Sequence, residues 1–231
     1  MGRPQHRQCT CGGLGVTSLL AIETSGSVCS VAVSIDGALA ASIEIIRPNV
    51  HDAKLADLIT QVCIGADVAV RDLSYVAVSS GPGSFTGLRI GVSMAKGLCV
   101  ASKAELIGVP TTTALLHAST EVAQRSGAAS IVCVIPSHKD LFYVARSPVD
   151  DPTHLACVEL MTVHELDSIA DDATLIVGPG AIRRDPHPVS GLTRHSARFV
   201  AFAAWRMLAA GRTPDDPVLF APEYHQEFRP R

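Results

Sequence analysis

The stretch Tyr75–Gly97 reads YVAVSSGPGSFTGLRIGVSMAKG, and its order of elements decides the fold. Tyr75–Ser80 is a short apolar run that predicts a buried strand. Gly81–Gly87 is a glycine-rich turn, and Leu88–Ala101 reads as a helix whose ionic residues are Arg89 and Lys96. A helix apolar nearly all round is covered on several sides. Glycines at 81, 83 and 87 allow close backbone approach and positive φ. The helix opening behind them offers free N–H groups and a positive dipole end, where phosphate binds readily. No G-K-[ST] follows, so this is not a Walker A loop, and G-x-G-x-x-x-G lacks the dinucleotide spacing. Two readings stay open for Gly81, Pro82, Gly83, Ser84, Phe85, Thr86, Gly87 and Arg89: phosphate or partner contact, and tight strand–helix packing. Ser84 and Thr86 would be nucleophiles only with a base nearby, and the sequence supplies none.

Upstream, Ser18–Thr24 and Val28–Ile35 are β-prone, and Asp36-Gly37 is a two-residue hairpin signal leading into Ala38–Ile46. The bend between the first two strands carries Glu23, Thr24, Ser25 and Ser27. An acid followed by such a turn holds phosphate and a metal in kinase-like folds; the plainer reading is a hairpin whose Glu23 accepts local N–H groups. His51–Ala66 places Leu55, Leu58, Ile59, Val62 and Cys63 on one helical face. Glu105–Val109 returns as a strand and Pro110 ends it. Downstream, Thr112–Gln124 is helical, Ile131–Ile135, Leu141–Arg146, Ala156–Met161 and Thr174–Val177 are strands, Thr162–Ala170 is a short helix, and Ser196–Ala210 is a long one. Residue-level self-similarity between the halves is not convincing. The expected division is an extension over 1–17, a first lobe over 18–110 and a smaller second lobe over 111–231, packed directly because no low-complexity linker intervenes. Arg183–Pro188, with His187 and His195, reads as a solvated surface loop.

The 231 residues are 47% hydrophobic and 18% charged, enough apolar material for a large core and more than a monomer's interior needs. No apolar run approaches the ~18 residues of a membrane span. The net charge of −3 and the lack of a basic run argue against a chain that grips nucleic acid by itself. Seven cysteines without a C-x-x-C pair read as reduced thiols of a cytosolic protein. None of the nine histidines forms an i, i+4 pair, so metal catalysis lacks its ligands.

Two segments together, AIETSGSVCSVAV near the start and SSGPGSFTGLRIGVSMAKGL further on, resemble the TsaB family, also called YeaZ. HDAKLADLI, IGVPTTTALL, LIVGPGA and APEYHQEF match further family segments, so the resemblance covers about residues 18–228. Ile135–Lys139 departs from the family's D-A-R, and HDAKL keeps only the His and Leu of H-S-E-x-L. The resemblance implies an α/β, two-lobed acetate kinase/Hsp70/actin-like (ribonuclease H-like) fold with mixed sheets. It implies a non-catalytic, cytoplasmic partner of a TsaD-like paralogue, the enzyme that transfers a threonylcarbamoyl group to the adenosine next to the anticodon of tRNA. A TsaE-like ATPase joins that assembly, and tRNA is met only through it. No cofactor is expected on this chain alone; ATP or ADP is expected at the assembled complex. TsaD-like proteins carry a metal-binding H-x-x-x-H after the strand matching Glu105–Val109, where this chain has Pro110–Leu115. The expected partner interface is the first-lobe helix pair, with His51, Leu55, Leu58, Gly91, Ser93, Met94 and Gly97, which drives homodimerisation when the partner is absent. The alternatives are a stand-alone ATP-dependent enzyme of the same fold and an M22-type glycoprotease-like metallopeptidase.

Overall fold

A computed structural model of the chain describes residues 16–47, 50–150, 157–169, 171–181 and 189–224. The expected extension up to residue 15 and the Arg183–Pro188 loop with His187 lie outside the described residues. Thr17, expected in the extension, is already part of the fold: its N–H bonds Asp36 Oδ1 and its carbonyl accepts from Asp36 N, both at 2.9 Å.

The first sheet has the order β3-β2-β1-β4-β5, from β1 (Ser18–Glu23), β2 (Val28–Ile35), β3 (Ala38–Ile46), β4 (Tyr75–Gly81) and β5 (Glu105–Pro110). β1, β2 and β3 form an antiparallel meander, and β4 and β5 run parallel to β1. The Asp36-Gly37 turn has φ of 48° and 84°, the positive pair that a tight right-twisted hairpin requires. Alternation along β2 sorts its side chains. Cys29, Val31 and Val33 face the core beneath α1 (His51–Gly65) and α2 (Phe85–Ser102), while Ala32 faces the other way. On that second face Ser30 Oγ accepts from Ala197 N at 3.0 Å and Ser34 Oγ accepts from Trp205 Nε1 at 2.7 Å. Those bonds dock α5 (Ala197–Ala209) onto the first sheet.

This placement of α5 differs from chain-order expectation, which put it in the second lobe. Its buried face is Ala197, Val200, Ala201, Ala203 and Ala204, small enough to lie close on Leu19, Ala21 and Ala77. α3 (Thr111–Ser126) lies beside α5 and faces the second sheet, where Leu115, Leu116 and Ala123 meet Ile131, Cys133 and Ile135. The molecule is therefore layered: α1 and α2, first sheet, α5 and α3, second sheet, then α4 (Val163–Ile169), whose Leu166 is fully buried.

The second sheet has the order β8-β7-β6-β9, from β6 (Ser130–Pro136), β7 (Leu141–Pro148), β8 (Val158–Thr162) and β9 (Thr174–Val177). β6, β7 and β8 are an antiparallel meander and β9 runs parallel to β6. That is the β1-β2-β3-α1-β4 pattern repeated as β6-β7-β8-α4-β9. The repeat has a sequence echo after its fourth strand: Gly81-Pro82-Gly83 in one half and Gly178-Pro179-Gly180 in the other. Gly81 and Gly178 both have positive φ, 122° and 94°.

Candidate functional site

Two loops meet at the end of the first sheet. α2 begins at Phe85, three residues before the expected Leu88, because the Ser84 side chain caps it by accepting from Gly87 N at 3.3 Å. The loop is thus shorter than it reads, and its second half is helix. Ser84 N donates to Ser25 O at 2.7 Å, and Thr24 Oγ1 donates to Gly87 O at 2.8 Å. Glu23, 1% exposed, lies inside this knot. It accepts from Ser25 N at 2.5 Å and from Ser79 Oγ at 2.7 Å, the local acceptor role of the plainer hairpin reading.

The glycines follow from that contact. Positive φ was expected at 81, 83 and 87; only Gly81 has it. At Gly83 a Cβ would stand 2.5 Å from Ser25 O, and at Gly87 it would overlap Thr24 O. The steric need is loop against loop. Ser84, Phe85, Thr86 and Arg89 remain exposed, Ser27 also, while Thr24 and Ser25 are buried. The Arg89 guanidinium lies 5.2 Å from the Phe85 ring centre.

His195 completes the junction and corrects the surface-loop expectation: it is 4% exposed. Its Nδ1 is 2.9 Å from Ser25 Oγ, and its ring occupies the space a side chain on Gly26 would need. Nε2 is buried without a hydrogen-bond partner. Burial holds the imidazole pKa below its ordinary value, with the Glu23 carboxylate pulling weakly the other way. Nothing local in R-H-S marks this role, since the partner Ser25 is 170 residues away. His195 bonds Ser25, not Ser84 or Thr86. The two halves enclose a cleft of about 500 Å³, lined by Ser25, Gly83 and Ser84 on one side and Ser137, His138 and Pro179 on the other.

On the outer face, α1 and α2 border a groove of about 740 Å³. Ile90, Met94 and Leu98 are half-buried there, Ser93 and Gly97 are exposed, and Asp52 of α1 borders it. The expected interface residues therefore divide. Ser93, Met94 and Gly97 line the groove. His51, Leu55, Leu58 and Gly91 face inward instead. Leu55 and Leu58 are 0% and 4% exposed in the core, and His51 Nε2 lies 3.2 Å from Val28 O. Gly91 is buried where a Cβ would overlap the Thr24 hydroxyl. Among the described residues no group of three His, Cys, Asp or Glu side chains is placed to hold a metal, and no helix is long and apolar enough to cross a membrane.

A doubled meander–helix–strand unit, with both Gly-Pro-Gly turns at one cleft, defines the class: an α/β, two-lobed fold of the acetate kinase/Hsp70/actin kind with mixed sheets. A model of the family "TsaD: tRNA N6-adenosine threonylcarbamoyltransferase" matches residues 46–151. The chain is 30% identical to the tRNA threonylcarbamoyladenosine biosynthesis protein TsaB of Escherichia coli K12 over 133 residues, 58% of this chain and 56% of that protein. It is 37% identical to the protein of the same name from Buchnera aphidicola subsp. Schizaphis graminum over 97 residues, 42% of this chain and 46% of that one. The chain thus spans about half the length of the curated relatives it matches. The solved structure of YeaZ from Pseudomonas aeruginosa superposes with a TM-score of 0.71 at 22% identity, covering 90% of this chain and 99% of that one. Over the matched residues the chain is similar to proteins of the TsaB (YeaZ) family, and its fold is that of the YeaZ structure.

Proposed function

We propose that this chain is a non-catalytic scaffold or activating subunit in the synthesis of threonylcarbamoyladenosine in tRNA, and that it docks a TsaD-like paralogue through the outer face of α2. The observation that carries the reading is the groove beside α2. Small residues at Ser93 and Gly97 let a partner backbone approach, and Ile90, Met94 and Leu98 supply apolar contact around them. The glycine loops support it from the other side: their close contacts are spent on each other, and Glu23 accepts from the chain itself. A TsaE-like ATPase joins the assembled pair, and ATP or ADP binds there, not on this chain alone. With a net charge of −3, the chain meets tRNA through the complex, in the cytoplasm. Without the partner the same face pairs two copies about a twofold axis.

The test is co-expression with the TsaD-like paralogue followed by size-exclusion chromatography. Wild-type chain co-elutes with the paralogue, and Ser93→Glu, which sets a charge in the groove, elutes alone with an unchanged melting temperature. Co-elution of Ser93→Glu at wild-type affinity places the interface elsewhere and sinks the reading.

A further inference from the structure

After α5 the chain runs back along the first sheet. Asp215 N donates to Leu106 O, and Asp215 Oδ2 accepts from Gly108 N, both at 2.8 Å, so the segment pairs with the outer edge of β5. The Phe220 ring lies flush on Gly108, in the space a Cβ there would occupy. Lys96 of α2 donates its Nζ to Val218 O at 3.2 Å and to Phe220 O at 3.0 Å. Glu223 N donates to Ser80 O at 2.7 Å, and the Glu223 carbonyl approaches Gly81 so closely that a Cβ would stand 2.5 Å from it. Fixed at these points, the segment sets the Tyr224 ring 4.9 Å from the Phe85 ring. Phe85 and Tyr224 nevertheless stay 52% and 48% exposed. Phe85 and Arg89 both line the groove.

We infer that the C-terminal segment is part of the docking surface: Tyr224 stacked on Phe85, beside Arg89, forms the rim of the α2 groove and sets which partner fits. The inference rests on the α2 face being the site that takes the TsaD-like paralogue. Three features carry it. The rim is continuous with the apolar groove, since Phe85 belongs to both. Its composition, two aromatic rings and a guanidinium, is that of residues that dominate protein interfaces, where rigid rings bury large area at low entropy cost. The backbone leading to Tyr224 is already tied to β4, β5 and α2, so binding need not order it. The occupant it fits is an apolar helix bearing a carboxylate, because Arg89 has no ion-pair partner among the described residues and its charge remains free for the incoming chain. The TsaD model spans residues 46–151, which contain both groove helices, so the paralogue carries the matching element and can meet it face to face.

The experiment is calorimetric titration of the full chain with the TsaD-like paralogue, using wild type, Ser93→Glu, Tyr224→Ala and Tyr224→Phe. Tyr224→Phe keeps the ring and binds as wild type; Tyr224→Ala binds about tenfold or more weakly with an unchanged melting temperature. Hydrogen exchange on the wild-type chain gives an independent reading: amides of residues 220–224 slow when the paralogue is added. If Ser93→Glu abolishes binding while Tyr224→Ala binds as wild type and the 220–224 amides are unaffected, the rim inference is overturned and the groove reading stands. Equal losses in Tyr224→Phe and Tyr224→Ala overturn the stacking role. Full binding by Ser93→Glu overturns the groove itself.

Discussion

Alanine at two glycines of the same helix should act with opposite sign. Gly87 and Gly97 both lie in α2, and neither has positive φ, so backbone strain does not separate them. Packing does. At Gly97 a Cβ would meet nothing within 4 Å, so Gly97→Ala gains only the helix propensity difference, about 0.8–1 kcal/mol. At Gly87 the same atom would overlap the Thr24 carbonyl oxygen. The turn would have to retreat on the order of an ångström, an overpacking cost of about 1–3 kcal/mol. Retreat also stretches the Thr24 Oγ1–Gly87 O and Ser84 N–Ser25 O bonds, each about 0.5–1.5 kcal/mol. Set against the propensity gain, Gly87→Ala should lose about 2–4 kcal/mol net. For a chain of this length each kcal/mol moves the midpoint by about 2–4 °C. Thermal melts by circular dichroism should therefore show Gly97→Ala a few degrees above wild type and Gly87→Ala about 5–15 °C below it. Equal midpoints for the two variants would refute the claim that the shape of this loop is a packing requirement against the first hairpin.

His195 is held neutral by burial, so its folded pKa lies below the ordinary value of 6.5. The unfolded chain takes the proton first; stability is full above that value and falls as pH drops below it, by up to about 1.4 kcal/mol per pH unit. Denaturant melts across this range should give a flatter profile for His195→Gln than for wild type, and identical slopes would contradict the buried neutral imidazole. Cys29 and Cys99 are pushed up to about 11 by burial, Cys63 and Cys133 are raised as well, and Cys157 is exposed. Iodoacetamide under native conditions, mapped by mass spectrometry, should label Cys157 and leave these four unmodified; rapid labelling of Cys29 would count against its burial. Trp205→Phe should cost about 1–3 kcal/mol by orphaning the buried Ser34 hydroxyl, and Ser34→Ala added to it should recover part of the loss in urea melts.

The first lobe was legible because its signals are local. Alternation in β2, the Asp36-Gly37 turn and the apolar stripe of α1 each speak within ten residues or so. The glycine loop was legible as a tight place but not as to its cause, since the atoms that exclude side chains at Gly83 and Gly87 belong to Thr24 and Ser25. α5 was assigned to the second lobe by chain order, whereas its alanine face fits the first sheet. β8 and β9 are short, the first largely exposed and the second only half-buried, so the repeat they complete leaves a weak pattern, with Gly178-Pro179-Gly180 as its one clear trace. The segment after Asp215 leaves one signal in the sequence: a glycine inside a strand, Gly108, marks a close approach, here by Phe220. His195 and Gly91 show the general limit. Whether a polar or small residue turns inward depends on what waits there, and in both cases that is the first hairpin turn.

The central claim is that this chain acts in threonylcarbamoyl transfer by docking its paralogue through α2. Its most direct test is reconstitution with the TsaD-like and TsaE-like proteins, threonylcarbamoyl-adenylate, ATP and an unmodified tRNA, scored for modified adenosine by mass spectrometry. Modification should require this chain, and Ser93→Glu should not support it. Modification proceeding equally without the chain, or in full with Ser93→Glu, would contradict it.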